Sequence, residues 1–265
     1  MPNDNILGRG AQGVTAICTN IIFILDTSGS MSGTRINQLN YGMSETLNTL
    51  VEESLKQETE VFVRVIKFNS DVNWVVGSED KGVVVEDVAR AWQNLTATGG
   101  TDTASAIEES LKALRTQYIG VRNKKPIVIL ITDGESNDRR EMERATDKLK
   151  VAMSGGSGKE KIVRIAIGVE DYDANELNYF ASKGTIKDDT GEKVDVPLVF
   201  GVDDAQKIAE VIKNVTVSSL KSVGQAGPVT LSDTSANVSP ADLTIDDEPI
   251  IIDTSKKTDD FWGKN

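Results

Sequence analysis

A carboxylate and two hydroxyls alternate along residues 26–30, which read D-T-S-G-S and directly follow an apolar run. In near-extended backbone, residues two apart point to the same side, so the oxygens of Asp26, Ser28 and Ser30 can converge on one point. Ligation by carboxylate, hydroxyl and water oxygens suits a hard cation such as Mg²⁺, which takes about six oxygens at roughly 2.0–2.1 Å. On its own, the segment also fits a turn followed by a helix cap.

Two later segments place hydroxyl or carboxylate oxygens where a predicted strand ends or a helix begins. Residues 99–102 read G-G-T-D ahead of a helical pattern, and residues 132–134 read T-D-G at the end of an apolar run. Alone, Thr101 is typical of a helix N-cap and Asp133 of a turn. Ligands of open α/β sheets bind beyond the carboxyl ends of the strands, so all three segments are expected on one rim. Their combination favours a metal site.

The sequence around these segments predicts an α/β fold, with a mostly parallel sheet and helices on both faces. From residue 20 onward, short β-branched runs alternate with helical patterns. The predicted strands are 20–25, 61–68, 127–132, 162–169 and 194–200. A further run, 72–76, follows the second strand too closely for a crossover helix, which predicts an antiparallel hairpin at a sheet edge. Apolar stripes predict helices through 36–55, 88–92, 104–114, 142–149 and 208–215.

The two ends of the chain depart from this pattern. Residues 1–17 are predicted to be a flexible lead-in, residues 18–218 the folded domain, and residues 219–265 an acidic, extended or disordered tail. The tail closes on two carboxylates and two aromatics: Asp259, Asp260, Phe261 and Trp262. This motif either binds a partner protein, binds the metal site of a second copy of the chain, or belongs to an inert solvated tail.

Composition excludes several classes of function. The chain has 41 Asp and Glu against 29 Lys and Arg, and its formal charge of −12 repels nucleic acid and anionic lipid. Histidine is absent, which disfavours His-dependent hydrolases and zinc enzymes. No basic segment followed by an apolar stretch opens the chain, and no run approaches the length of a membrane span. These features predict a cytoplasmic protein with no nucleic-acid or membrane partner.

The motifs D-x-S-x-S, G-G-T-D and T-D-G, in this order, resemble the metal-ion-dependent adhesion site of von Willebrand factor A (vWA) domains. The resemblance covers about residues 18–217 and implies a Rossmann-like, doubly wound sheet. All five motif positions match without substitution: Asp26, Ser28, Ser30, Thr101 and Asp133.

The resemblance also implies a role for each of these residues. Ser28 and Ser30 would reach the cation directly, together with Thr101 or an acidic group from a partner. Asp26 and Asp133 would act largely through water and through hydrogen bonds to the serines. The expected cation is Mg²⁺, with Mn²⁺ or Ca²⁺ as alternatives. An Asp or Glu of a protein partner would fill an open coordination position, since a bound cation reverses the local field of an acidic protein.

Three functional hypotheses follow by analogy. The leading one is a bacterial interaction protein similar to vWA proteins associated with tellurite resistance. Its role would be regulatory or scaffolding, beside kinase-like or phosphatase-like partners in a stress or phage-defence system. The second is the vWA adaptor subunit of an AAA+ ATPase, as in chelatases. The third is an Mg²⁺-dependent phosphohydrolase with Asp26 as nucleophile, which is disfavoured because Ser28 stands where such enzymes carry a second Asp. The chain is therefore predicted not to be an enzyme.

Overall fold

The structure, a computed structural model, describes residues 17–117, 124–153, 161–187 and 193–222, together with 244–245 and 248–249. Its strands are β1 (Ile17–Asp26), β2 (Thr59–Phe68), β3 (Val72–Val76), β4 (Val83–Val84), β5 (Ile127–Thr132), β6 (Val163–Val169), β7 (Lys183–Lys187), β8 (Lys193–Pro197), β9 (Val199–Val202), β10 (Thr244–Ile245) and β11 (Glu248–Pro249). Its α-helices are α1 (Thr34–Lys56), α2 (Val85–Ala91), α3 (Thr103–Gln117), α4 (Arg139–Ala152), α5 (Ala174–Phe180) and α6 (Ile208–Ser222).

The central sheet has the strand order β3-β2-β1-β5-β6-β9, and β4 also pairs with β2. The pairs among β2, β1, β5, β6 and β9 are parallel, whereas β3 and β4 pair with β2 antiparallel. The predicted α/β fold and the predicted antiparallel hairpin at the edge are both confirmed. The helices lie between successive parallel strands, because each parallel connection has to cross from one end of the sheet to the other.

The predicted single strand 194–200 is wrong, because the chain changes partner at Leu198. Before this residue β8 pairs antiparallel with β7, and after it β9 pairs parallel with β6. The Leu198 N–H donates to the Ser182 carbonyl at 2.8 Å, and the Leu198 carbonyl accepts from the Ala166 N–H at 3.0 Å. A β-branched run predicts extended backbone but does not specify which neighbour that backbone pairs with.

The central strands are covered on both faces. β5 and β6 are buried at every residue, and β1 is buried from Thr19 to Asp26. Helices provide the cover, with α1 packed on α6 and α3 packed on α4. Strands buried on both faces read as continuous apolar runs, which is why the sequence located them. In the described part of the chain, no helix is both long and apolar enough to cross a membrane.

The parallel strands bring the candidate metal ligands to one rim of the sheet. Asp26 ends β1, and its neighbour Leu25 pairs with Ile131 of β5. Thr132 ends β5 and pairs with Gly168 of β6. The segments that follow β1, β5 and β6 therefore leave the sheet side by side.

Candidate metal centre

Asp26 is the innermost group of the site and is completely buried. Its Oδ1 accepts a hydrogen bond from the Ser28 N–H at 2.7 Å, and its Oδ2 accepts one from the Thr132 hydroxyl at 2.6 Å. Burial raises the pKa of Asp26 above its usual range, against the lowering effect of these hydrogen bonds, and the nearby charge of Asp133 adds to the rise. A cation at the rim would offset the cost of this buried charge.

A chain of oxygens runs outward from this carboxylate. The hydroxyls of Ser28 and Ser30 lie 3.0 Å apart, and the Ser30 hydroxyl donates to Asp133 Oδ1 at 2.7 Å. The Asp133 side chain is fully buried. The structure thus brings four of the five predicted ligands, from two places in the sequence, into one connected set. Carboxylate and hydroxyl oxygens are the donor types that a hard divalent cation prefers, so the residues present fit such an ion.

Hydroxyls supply part of the ligand set of the candidate cation site. Within the described ranges, no group of three or more His, Cys, Asp or Glu residues is placed to hold a metal ion. Asp26 and Asp133 supply two carboxylates, and Ser28 and Ser30 supply the hydroxyls between them. A cation held mainly by neutral hydroxyls and water keeps more of its charge for an incoming ligand.

The loop carrying Thr101 lies against the segment that follows β1. The Thr98 N–H donates to the Thr27 carbonyl at 2.7 Å, and the Gly29 N–H donates to the Gly99 carbonyl at 2.9 Å. Gly99 has a φ of 83°, a backbone conformation that favours glycine. These bonds bring Thr101, which is 9% exposed, to the same rim as the four connected residues.

Asn137 holds the Thr101 backbone from the β5 side. Its side-chain Oδ1 accepts from the Thr101 N–H at 3.1 Å, and its own N–H donates to the Thr101 carbonyl at 2.9 Å. The preceding residue, Ser136, donates through its N–H and its hydroxyl to Glu176 of α5, each at 3.0 Å. Burial raises the pKa of Glu176, although these bonds from Ser136 act to lower it. These residues were not predicted as part of the site, because a loop S-N-D before a helix signals only a helix cap.

Asn137→Ala is expected to weaken divalent-cation binding by about tenfold, since residues that orient ligands typically contribute 10- to 100-fold to affinity. The variant would also leave the Thr101 N–H without its acceptor, at a cost of about 1 kcal/mol of unfolding free energy. Titration calorimetry with Mg²⁺ and Mn²⁺ measures the first effect, and thermal unfolding measures the second. Asn73→Ala, at an exposed position of β3, is the matched control. An affinity equal to that of the control would contradict this role.

A guanidinium joins the outer side of the same site. Arg35, in the first turn of α1, donates to Asp133 Oδ2, and its Nη1 donates to the Ser30 carbonyl at 3.2 Å. Its Nε donates to Glu170 Oε2 at 2.7 Å, and its Nη2 contacts the same oxygen. Glu170 directly follows β6, so a third strand end contributes to the rim, after those of β1 and β5. Arg35 and Glu170 were not predicted as part of the site, although the position of Glu170 after a predicted strand was a usable signal.

A family model described as von Willebrand factor type A domain matches residues 20–215. The chain belongs to this family. Domains of the vWA family mediate protein binding, and those with a metal-ion-dependent adhesion site bind divalent metals. The α/β topology described above is the vWA fold.

The following proteins are similar to this chain, at low sequence identity. Inter-alpha-trypsin inhibitor heavy chain H3 of Mus musculus is 24% identical over 174 residues, which are 63% of this chain and 18% of that protein. The chain thus spans less than a fifth of the length of this relative. The von Willebrand factor type A structure from Catenulispora acidiphila has a TM-score of 0.56 at 20% identity, covering 76% of this chain and 42% of that one.

A further similar structure is proximal thread matrix protein 1 from the mussel byssus, described with a zinc-occupied MIDAS motif, MIDAS being the adhesion site named above. It is 17% identical, has a TM-score of 0.50, and covers 77% of this chain and 46% of that one. At these identities the likeness shows the fold alone.

The predicted ends of this vWA chain lie largely outside the described residues, so the lead-in 1–17 and the tail 219–265 stay predictions. The candidate partner-binding residues of the tail all lie outside the described ranges: Asp259, Asp260, Phe261 and Trp262. The last described helix, α6, runs to Ser222.

Proposed function

We propose that this chain is a metal-dependent protein-interaction module, whose cation site binds an acidic group of a partner. The observation that carries the proposal is the connected set of buried and half-buried oxygens at the sheet rim, with Asp26, Ser28, Ser30 and Asp133 joined by hydrogen bonds. Ser28, Ser30 and Thr101 would hold the cation, and the two aspartates would orient the serines and the surrounding water. A bound divalent cation supplies an electrophilic centre for a carboxylate.

The charge of the chain supports the same proposal. With a formal charge of −12, the protein as a whole repels acidic groups. A divalent cation at the rim reverses that field locally, so binding of an Asp or Glu becomes dependent on the cation. A cavity of about 370 Å³ opens beside Thr101, between the first turns of α3 and α4, and its acidic lining leaves the cation as the attractive group for a carboxylate at this rim.

The position of Asp26 argues against a catalytic role. A carboxylate nucleophile needs an accessible oxygen, whereas both oxygens of Asp26 accept hydrogen bonds from Ser28 and Thr132 and the residue is fully buried. The sequence has no histidine to act as a base. We therefore propose recognition without turnover, in a regulatory or scaffolding role such as that of vWA proteins in bacterial stress systems.

The test is capture of binding proteins by immobilised full-length chain in Mg²⁺ and in EDTA, with Asp133→Ala run in parallel. A partner bound by the wild type in Mg²⁺, and lost both in EDTA and in the variant, is the expected result. Replacing each surface Asp and Glu of that partner then identifies the group that reaches the cation. The proposal is wrong if capture is the same in EDTA, or if the purified chain hydrolyses phosphate esters in an Mg²⁺-dependent reaction that Asp26→Asn abolishes.

A further inference from the structure

Arg35 binds the one oxygen of Asp133 that does not face the serines. Asp133 Oδ1 accepts from the Ser30 hydroxyl, and Oδ2 accepts from Arg35. The Asp133 side chain is fully buried, while the side chains of Arg35 and Glu170 are 23% and 27% exposed. A single guanidinium therefore connects a buried carboxylate of the candidate centre to an outer carboxylate at the protein surface.

The backbone fixes the position of Glu170. Its φ is 53°, in the left-handed region that non-glycine residues rarely adopt. Its N–H donates to the Val202 carbonyl at 2.6 Å, which continues the pairing between β6 and β9 past the end of the strand. The Arg35–Glu170 contact thus joins α1 to a defined point of the rim, unlike an ion pair between two mobile surface side chains.

Arg35 adds a positive charge to a centre whose other charges balance. Asp26 and Asp133 carry two negative charges when ionised, which equal the charge of a divalent cation, so the attraction for a carboxylate comes from the open coordination position and is not reinforced by net charge. The guanidinium of Arg35 makes the sum of these charges positive. Glu170 binds the opposite side of the guanidinium, farther from the serines, and reduces the effect without removing it.

We propose that Arg35 is a positioning and charge-setting residue of the cation site. Its positive charge lowers the affinity of the site for the cation and raises the affinity of the bound cation for a carboxylate. Glu170 moderates Arg35. The inference rests on the function proposed above and deepens it, because it assigns the preference for an acidic ligand to a residue outside the metal-binding motif.

The variants Arg35→Gln, Glu170→Gln and the double variant test this role with the cation alone. By Coulomb's law, a unit charge and a divalent ion separated by about 6 Å interact strongly enough to change the affinity for the ion by about tenfold, even in a water-like dielectric. Arg35→Gln should therefore bind Mg²⁺ and Mn²⁺ about tenfold more tightly than the wild type. Glu170→Gln should bind them several-fold more weakly, and the double variant should return close to the wild type, because it removes one charge of each sign.

A second measurement tests whether a carboxylate binds at the open coordination position of the cation. Acetate displaces water from bound Mn²⁺, which lowers the relaxation rate of the water protons. Arg35→Gln is expected to weaken acetate binding to the Mn²⁺-loaded protein by several-fold while tightening Mn²⁺ itself. Opposite changes of this kind would not follow from a merely structural role, which would weaken both.

Two controls separate charge from structure. Arg35→Lys keeps the charge and should bind the cation within a few-fold of the wild type. Arg90→Gln removes the same charge from an exposed ion pair with Asp87 on α2 and should leave cation affinity unchanged. Cation affinity that falls or stays constant in Arg35→Gln would overturn the inference while leaving the proposed function standing. A wild-type protein that binds no divalent cation would overturn both.

Discussion

Asp26→Asn is expected to abolish divalent-cation binding while leaving the metal-free domain at least as stable as the wild type. The amide keeps the shape of the carboxylate and can accept the Ser28 N–H, and the Thr132 hydroxyl can turn to accept from the amide nitrogen. The buried charge is removed. Because burial raises the pKa of Asp26, its ionised form lowers the stability of the metal-free fold at neutral pH.

The stability difference between Asp26→Asn and the wild type should also depend on pH. The penalty for the ionised carboxylate fades as the pH falls through the folded-state pKa of Asp26, so the stability advantage of Asp26→Asn should shrink in acid. In the wild type, cation at about 100 times its Kd should add about 2.7 kcal/mol to the free energy of unfolding, and in Asp26→Asn it should add nothing.

Chemical unfolding with and without Mg²⁺, at several pH values, measures all of these quantities. Asp87→Asn, at an exposed position of α2, is the control and should keep the full stabilisation by Mg²⁺. The same gain in stability from Mg²⁺ in Asp26→Asn as in the wild type would place the cation elsewhere. An unfolded Asp26→Asn variant would show that the carboxylate is needed for folding.

Gly42→Val is expected to lower the free energy of unfolding by about 3 kcal/mol or more, or to prevent folding. Gly42 is buried on α1 where this helix packs on α6. A Cβ at this position would lie 2.5 Å from the Cα of Ala209, and a backbone atom cannot move away without displacing its helix. Valine adds two further methyl groups to that clash, so the helices have to separate.

The size of this effect is measured against a matched change on the same helix. Asn48→Val places the same side chain at an exposed position of α1 and should cost less than about 1 kcal/mol, because only helix propensity and solvation change. For a domain of this size, 3 kcal/mol corresponds to a fall of about 10 °C in Tm. Similar Tm values for the two variants would show that α1 and α6 pack less closely than described.

Local sequence determined the fold and the inner part of the candidate site. The alternation of β-branched runs with apolar helical stripes was enough to predict a parallel sheet with an antiparallel edge, because strands buried on both faces have to be apolar along their length. The spacing of Asp26, Ser28 and Ser30 predicted three neighbouring oxygens, but the predicted extended backbone is wrong, because Ser28 caps a 3-10 helix over Gly29–Met31. Parallel strands then end at one rim, which is why Asp133 could be placed beside them from sequence order alone.

Only the tertiary structure shows which groups surround the oxygens of Asp26, Ser28, Ser30 and Asp133. Arg35 contacts Asp133 across 98 positions of the sequence and Glu170 across 135, and no periodicity relates residues so far apart. Likewise, only the observed pairing shows that residues 194–200 change partner at Leu198. Short-range sequence patterns indicate burial and backbone conformation. The contacts of a long side chain such as that of Arg35 depend instead on which residues the folded helices and strand ends place near it. The charge of the candidate site is therefore set by contacts that exist only in the folded chain.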